Sequence, residues 1–379
     1  MPENDFNIAV LGAGCASLQF LHQLSQQPAW PQARVGLFRE QSSAQRSWCF
    51  WAIERHPLQH LVKKSWQTLR FTGRGFSKTA SIAPYQYHFI PGDDFFEYFN
   101  EDFLPRQKNI ALIDAPVNAL VPHEKGFTLQ CRERQWQATQ VYSSIFTKPA
   151  TLGRFWLKQH FKGWFVRSDQ AIFDDSCVTL MDFSIEQTQD TRFIYILPFS
   201  AQYALLEITV FSPETYADNA YDEVLKAYFQ THFPGVKYVI EKTEYGAIPM
   251  TDTLFPRRGA AGEVLLGAAA GMVKSSTGYA FKRIGEDVRQ LAEDLQTGNK
   301  LRWAGTRGRF RFYDRLLLGI LQQEPLSGQR IFETLFKRIE MKTILRFLDE
   351  DTNWREELRI FRQLPFVPFV KQIFHQWKP

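Results

Sequence analysis

No stretch of this 379-residue chain approaches the roughly 20 consecutive apolar residues that a bilayer-crossing helix needs. That excludes a helical membrane-spanning protein. Cysteine is scarce: Cys15, Cys49, Cys131 and Cys177 are scattered with no C-x-x-C spacing, which argues against a disulfide frame or a zinc site and reads as reduced thiols. His56 and His60 share helical i, i+4 spacing, but Pro57 intervenes and no third ligand accompanies them, so no metal site is expected. No charged-then-apolar leader pattern precedes the first strand, and the expected location is cytoplasmic. Internal repeats and low-complexity segments are also missing, which excludes solenoids and flexible arrays.

What is abundant is aromatic residues. They make up 15% of the chain, with 34 Phe and 10 Trp, within a hydrophobic content of 44%. Such bulk belongs in a large core or around an apolar ligand. The length suits two domains or one elaborated domain. The formal charge of +5 is unevenly placed: from Lys300 to Pro379 there are 16 basic and 9 acidic residues. Basic residues there alternate with Phe, Leu and Ile, a pattern shared by membrane-surface helices and by ordinary helices with solvated Lys and Arg. No nucleic-acid-binding motif accompanies the charge, so no nucleic-acid partner is expected.

The chain opens with an apolar strand running into I-A-V-L-G-A-G-C-A-S, a G-x-G-x-x-S turn at Gly12, Gly14 and Ser17, with a helix pattern from Ala16 onward. Gly12 suits the tight turn, and Gly14 lets backbone N–H groups approach a pyrophosphate. Ser17 is a small replacement for the third glycine, and the helix N-terminus favours the anion. About twenty residues on, the strand Val35 to Phe38 ends at Glu40, the expected acid for a ribose hydroxyl, with Arg39 beside it. These features predict a nucleotide cofactor.

Further along, Gln67 to Phe71, Tyr85 to Ile90 and Asn109 to Ile113 read as strands, Asp93 to Phe103 as a helix, and Val117 to Gln140 as an antiparallel meander. From Thr151 to about Gly246 the runs Gln170 to Phe173, Val178 to Phe183, Phe193 to Pro198 and Tyr203 to Val210 suggest an inserted, mostly antiparallel layer. A second glycine cluster follows the strand Val264 to Gly267, and a helix is expected from about Gly278 to Gly298. Beyond Leu301 all segments read as helices. Two glycine turns some 250 residues apart fit a flavoprotein better than a simple NAD domain, and a helix starting at Gly278 would aim its positive end at a flavin ring.

Taken together, the stretches V-L-G-A-G-C-A-S-L, R-S-W-C-F-W, H-F-K-G-W-F, L-M-D-F, Y-I-L-P-F-S, L-L-E-I-T-V-F-S, G-A-I-P-M-T-D, G-A-A-A-G-M-V-K-S-S-T-G-Y-A-F, F-Y-D-R-L-L-L and R-F-L-D-E resemble the FAD-dependent lycopene cyclase family over nearly the whole chain. The resemblance implies an α/β fold: a Rossmann-like FAD-binding domain of the p-hydroxybenzoate hydroxylase and geranylgeranyl reductase type, an inserted antiparallel β substrate domain and a C-terminal helical region. The expected division is 1–150 and 246–300 for FAD, 151–245 for substrate, and 301–379 for the helical region with membrane-surface contact. The resemblance further implies closure of the ends of lycopene into β-ionone rings by a redox-neutral reaction that needs reduced FAD, with NAD(P)H as electron donor, at the inner face of the membrane. The family's catalytic glutamate falls on Glu207. The cofactor set is Gly12, Gly14, Ala16, Ser17, Glu40, Gly267, Gly271, Thr277, Gly278 and Tyr279. Trp48, Phe50, Trp51, Asp182 and Asp252 are expected at the substrate pocket. Two departures stand out: Gly267-Ala268 replaces the usual G-D, and Glu207-Ile208-Thr209 keeps one acid where some relatives have two.

An alkene is a poor base, so its protonation demands a strong acid shielded from water. A carboxylic acid in an apolar pocket stays protonated near neutral pH, and Glu207 is a lone acid in the run A-L-L-E-I-T-V-F. Strand alternation alone would equally make it an outward-facing residue. Other chemistries on the same scaffold are an isoprenoid reductase or monooxygenase, or a carotenoid- or flavin-binding protein without activity.

Overall fold

The computed structural model describes residues 5–40, 46–132, 134–301, 305–306 and 308–376. The opening apolar run forms the strand Asp5–Leu11 at the centre of a seven-stranded sheet. It pairs in parallel with Val35–Phe38 on one side and Arg134–Ser143 on the other, and Ile110–Ile113 extends the parallel set. The meander follows as expected, with Ala119–His123 and Gly126–Cys131 added antiparallel to Arg134–Ser143. The short strand Val264–Leu265 returns late in the chain to pair in parallel with Tyr142 and Ser143. The two glycine segments therefore leave the same edge of one sheet.

The second seven-stranded sheet runs in the order Tyr238–Thr251, Trp156–Ser168, Tyr203–Ser212, Thr191–Ser200, Cys177–Asp182, Thr68–Gly73, Phe76–Ser81. Two of its strands come from before residue 151, and the boundary expected at 245 falls inside Tyr238–Thr251. Gln170 to Phe173 is a loop, not a strand; Phe173 is buried instead against Phe233 beyond the helix Asp218–His232. That helix covers one face of the sheet, packing Tyr221, Leu225 and Phe229 on Leu206, Ile208 and Val210. The opposite face is covered by the C-terminal helices Gly308–Gln323, Ser327–Arg338, Met341–Leu348 and Trp354–Gln363. A small antiparallel sheet of Trp48–Ala52, Gln86–Ile90 and Lys64–Trp66 bridges the two large ones.

The helical region is tied to the second glycine segment by buried charge. Lys274 is 2% exposed and its Nζ donates to Asp314 at 2.8 Å and Glu350 at 3.0 Å, while Arg283 reaches Glu350 at 2.9 Å. Two cations face two carboxylates, with Lys274, Asp314 and Glu350 buried and Arg283 partly exposed, so losing Lys274 leaves buried charge uncompensated. Replacing Lys274 with Met is expected to destabilise the protein by about 3–5 kcal/mol, measured as a lower urea midpoint with an unchanged slope.

Candidate active site

The first glycine turn has the geometry of a dinucleotide cradle. Gly12 has φ +84°, and a Cβ there would sit 2.8 Å from Ser144 Oγ. Gly14 caps the helix Cys15–Ser25, whose N-terminus has no side-chain cap, leaving its N–H groups for an anion. Ser17 is buried and donates to Ser144 Oγ at 2.8 Å, so its hydroxyl locks helix to strand. Ala16 lies under Gly267, where a Cβ would approach its own to 2.6 Å at φ +59°. Glu40 is exposed just past Val35–Phe38, while Arg39 turns away to Asp114 at 2.7 Å and Asn100 at 3.1 Å. Of the two, Glu40 is the one without an ion pair to a neighbouring side chain among the described residues.

The segment from Gly267 to Tyr279 continues the cradle to a cavity of about 430 Å³. Thr277, Gly278 and Tyr279 line it. Gly278 has φ +73°, and a Cβ there would meet Gln159 Oε1 at 2.5 Å. Gln159 Oε1 is buried and has no hydrogen-bond partner among the described residues. A buried polar group is normally paired, so an unsatisfied acceptor beside a glycine gap fits a polar ligand edge. The helix here starts at Phe281, three residues later than expected, with Ala280 as an N-cap that makes no side-chain bond. Its N-terminus is one turn of chain away from Gly278.

Glu207 stands on Tyr203–Ser212 with Leu205, Thr209 and Phe211, and all four line the cavity. Because both faces of its sheet are covered, alternation gives this strand no solvent face; the accessible part of Glu207 faces the cavity. Burial, then the charge of Glu244, pushes its carboxyl up to about 8, against a 2.9 Å hydrogen bond from Thr209 Oγ1. A carboxyl raised that far favours its protonated form at neutral pH.

Several neighbours escaped the sequence reading. Tyr87 Oη hydrogen-bonds to Tyr195 at 2.8 Å and Tyr279 at 2.6 Å, and Tyr195 donates to Cys49 Sγ at 3.1 Å. Burial raises all three phenols and pushes the Cys49 thiol up to about 12, so the chain is neutral. Glu244, on Tyr238–Thr251, lines the same cavity and is 7% exposed. Strand order, not local pattern, brings these groups together. A hydroxyl-bearing aromatic in a strand otherwise apolar, as at Tyr195, is the one signal the sequence offered.

Trp48 and Trp51 line the cavity as expected, and Trp51 meets Tyr279 edge-on at 4.7 Å. Phe50 does not: it points away from Trp51, on the face it shares with Trp48, and stacks on Phe281 at 5.2 Å in the core; Trp48 also meets Phe281, at 5.7 Å, and reaches the cavity from the end of the strand. Asp182 also lies outside the cavity. It accepts from Tyr228 Oη at 2.7 Å and Ser184 N at 2.8 Å, pinning the Asp218–His232 helix to the sheet. Asp252 accepts from Phe155 N at 2.8 Å and pairs with Arg315 at 3.2 Å beside a second, polar cavity of about 610 Å³ that Gly271 also lines. Its carboxylate holds a strand end rather than substrate. His56 packs between Phe50 and Phe281.

The fold is shared with solved flavoprotein structures. A geranylgeranyl bacteriochlorophyll reductase-like protein of Thermoplasma acidophilum is 11% identical over 98% of this chain and 99% of that one, with a TM-score of 0.62. The flavin-dependent monooxygenase PieE, solved with FAD and substrate, is 13% identical over 96% and 73% of the two chains, at 0.58. The p-nitrophenol 4-monooxygenase PnpA of Pseudomonas putida DLL-E4 is 12% identical over 95% and 96%, at 0.57. At such identities the likeness shows the fold alone. No curated protein sequence matches the chain. The family described as lycopene cyclase protein matches residues 7–373, and with that span the chain belongs to the lycopene cyclase family.

Proposed function

We propose that this protein is an FAD-dependent lycopene β-cyclase, an intramolecular lyase that closes the ends of lycopene into β-ionone rings without net redox change. The observation that carries this reading is a protonated carboxyl, Glu207, on the wall of an aromatic cavity that runs to the second glycine segment. Glu207 gives its proton to the terminal alkene carbon, leaving a tertiary carbocation. A nearby double bond attacks that cation, and a proton then leaves the ring. Trp48, Trp51, Phe161 and Tyr279 line the cavity; their faces stabilise positive charge and exclude the water that would trap it. Gly12, Gly14 and Glu40 would hold the adenosine diphosphate half of FAD, with Ser17 fixing the turn from beneath through Ser144, and Thr277, Gly278 and Gln159 would hold its ring. Bound in the reduced state, with NAD(P)H as electron donor, the flavin supplies negative charge that stabilises the cation.

Lycopene is apolar, and we place the enzyme at the cytoplasmic face of an anionic bilayer. The cavity wall extends to Leu364 and Phe369. On the helix Phe366–Gln376, beside that wall, Phe366, Val367 and Phe374 are 76%, 61% and 69% exposed. From Arg359 to Pro379 the chain carries four Lys or Arg and no acidic residue. Lys371 on this helix pairs with Glu324 at 3.1 Å, and exposed Phe within a segment of net positive charge suits insertion among anionic headgroups.

Expression in lycopene-accumulating bacteria with pigment chromatography tests the reading. The parent yields cyclic carotenoid without consuming NAD(P)H in proportion, and Glu207→Gln leaves lycopene unchanged; full cyclisation by the variant would remove Glu207 from the mechanism. Because the acid form is the active one, turnover is expected to persist below about pH 8 and fall as pH rises through that value. Thr209→Val removes a bond that lowers the Glu207 value, so its alkaline limb moves to higher pH. Gly14→Trp should abolish flavin absorbance in the purified, folded protein. The double variant Phe366→Ser, Phe374→Ser should lose most of its flotation with phosphatidylglycerol vesicles while retaining flavin.

A further inference from the structure

One row of residues crosses the large sheet on its cavity side. Glu244 pairs with Gly163, Gly163 with Glu207, and Glu207 with Tyr195, on four neighbouring strands. At about 4.8 Å per strand, the two glutamates have Cα atoms about 10 Å apart, with only Gly163 between them. A Cβ on Gly163 would meet Leu205 Cδ1 at 2.6 Å and lie 3.4 Å from Glu244 Cγ and 3.6 Å from Glu207 Cβ. Both acidic arms therefore flank Gly163, with a Leu205 methyl lying over it.

Two carboxyls in such a wall do not both ionise readily, and their surroundings decide which one keeps the proton. Glu207 receives one neutral hydroxyl, from Thr209. Glu244 receives two donors on the single oxygen Oε2: Ser47 N at 3.3 Å and Ser47 Oγ at 2.9 Å. Donors aimed at one carboxylate oxygen favour its charged form. Burial raises the Glu244 carboxyl above its ordinary value; the two Ser47 donors and Lys242 on its own strand work against that rise, and Asp93 adds to it. Lys242 and Asp93 are ion-paired to each other. Cys49, across the cavity, is neutral, and Arg46 lines the same wall. The pair thus holds one proton, on Glu207, with the charge on Glu244.

We infer that Glu244 is the base of the ring closure, the group that accepts the proton leaving the ring and returns it to Glu207 on the far side of Gly163. This rests on the cyclase reading above. The step balances. The Glu207 O–H bond breaks as a C–H bond forms at the terminal alkene carbon, and the pair of electrons of the second double bond forms the ring C–C bond. The C–H bond beside the resulting cation breaks, its electrons become the new double bond, and its proton passes to Glu244. Transfer from Glu244 to Glu207 restores the starting state, with no electrons exchanged and no co-reactant consumed.

The test uses the flavin-loaded enzyme with lycopene in vesicles under reducing conditions. Glu244→Gln should retain flavin and folding yet lose about 100-fold or more in kcat with little change in KM, as expected for loss of a general base. The cation it forms should escape by other routes, giving hydroxylated or differently unsaturated rings, and added acetate should restore part of the normal product. Ser47→Ala supplies a second readout. With one donor gone, Glu244 binds its proton more tightly, so the acid limb of the pH profile moves to higher pH while the alkaline limb set by Glu207 stays. Parental rate and product in Glu244→Gln, or an unmoved acid limb in Ser47→Ala, overturns the assignment while leaving a cyclising, Glu207-dependent parent as a cyclase. A parent that leaves lycopene untouched overturns both.

Discussion

Covering the large sheet on both faces decides where its polar side chains go. A strand with one wet face exposes every second residue, and a glutamate at such a position is unremarkable. Here the helix Asp218–His232 occupies one face and the C-terminal helices the other, so the odd-numbered residues of Tyr203–Ser212 point into a closed apolar space. Glu207 is held there by the register of four strands rather than by anything in its own segment. Its raised proton affinity follows from burial, and the acid chemistry follows from that.

Closing the second face has an electrostatic cost. Lys274 joins the second glycine segment to Asp314 and Glu350 on the helical region in a cluster nearly free of water. Desolvating such charges is expensive, and paired ions seldom exceed a well-packed apolar contact in net stability. What the cluster supplies is position: it fixes helices that wall the cavity against a segment that also lines the proposed flavin site. Arg257 with the buried Asp287, at 2.8 Å, ties the Phe281–Thr297 helix in a comparable way. The cavity is therefore shaped by ionic clamps at its margin, where Asp314 joins a mostly apolar lining.

The parts of the site set by short spacing were legible in the sequence. The first glycine turn, its helix and the strand ending before Glu40 lie within forty residues, and each local preference agrees with the fold. Glu207 was legible through its resemblance to a family, not from alternation. Illegible were Trp156–Ser168 and Tyr238–Thr251, whose interior polar residues mimic an exposed segment. His160 is buried between Ser212 Oγ and Tyr221 Oη, both at 2.7 Å, and Lys162 pairs with Asp218 and Asp222 at 2.8 Å. A pattern reader sees polarity; the structure satisfies it internally. Glu244, Tyr87 and Tyr195 were hidden for a related reason, since the strands that carry them meet only through sheet order.

An apolar cavity that keeps an acid protonated is hostile to the carbocation that acid creates. The same low polarity that raises Glu207 would raise the energy of the cation, unless negative charge or polarisable faces stand within a few ångströms. Aromatic walls meet part of that demand. A carboxylate two strands from the acid meets more of it, and its charge also favours keeping the proton on Glu207 until substrate arrives. One charge at Glu244 thus serves both ends of the reaction. It makes Glu207 a proton carrier before protonation, and afterwards it attracts the cation and the proton that must leave.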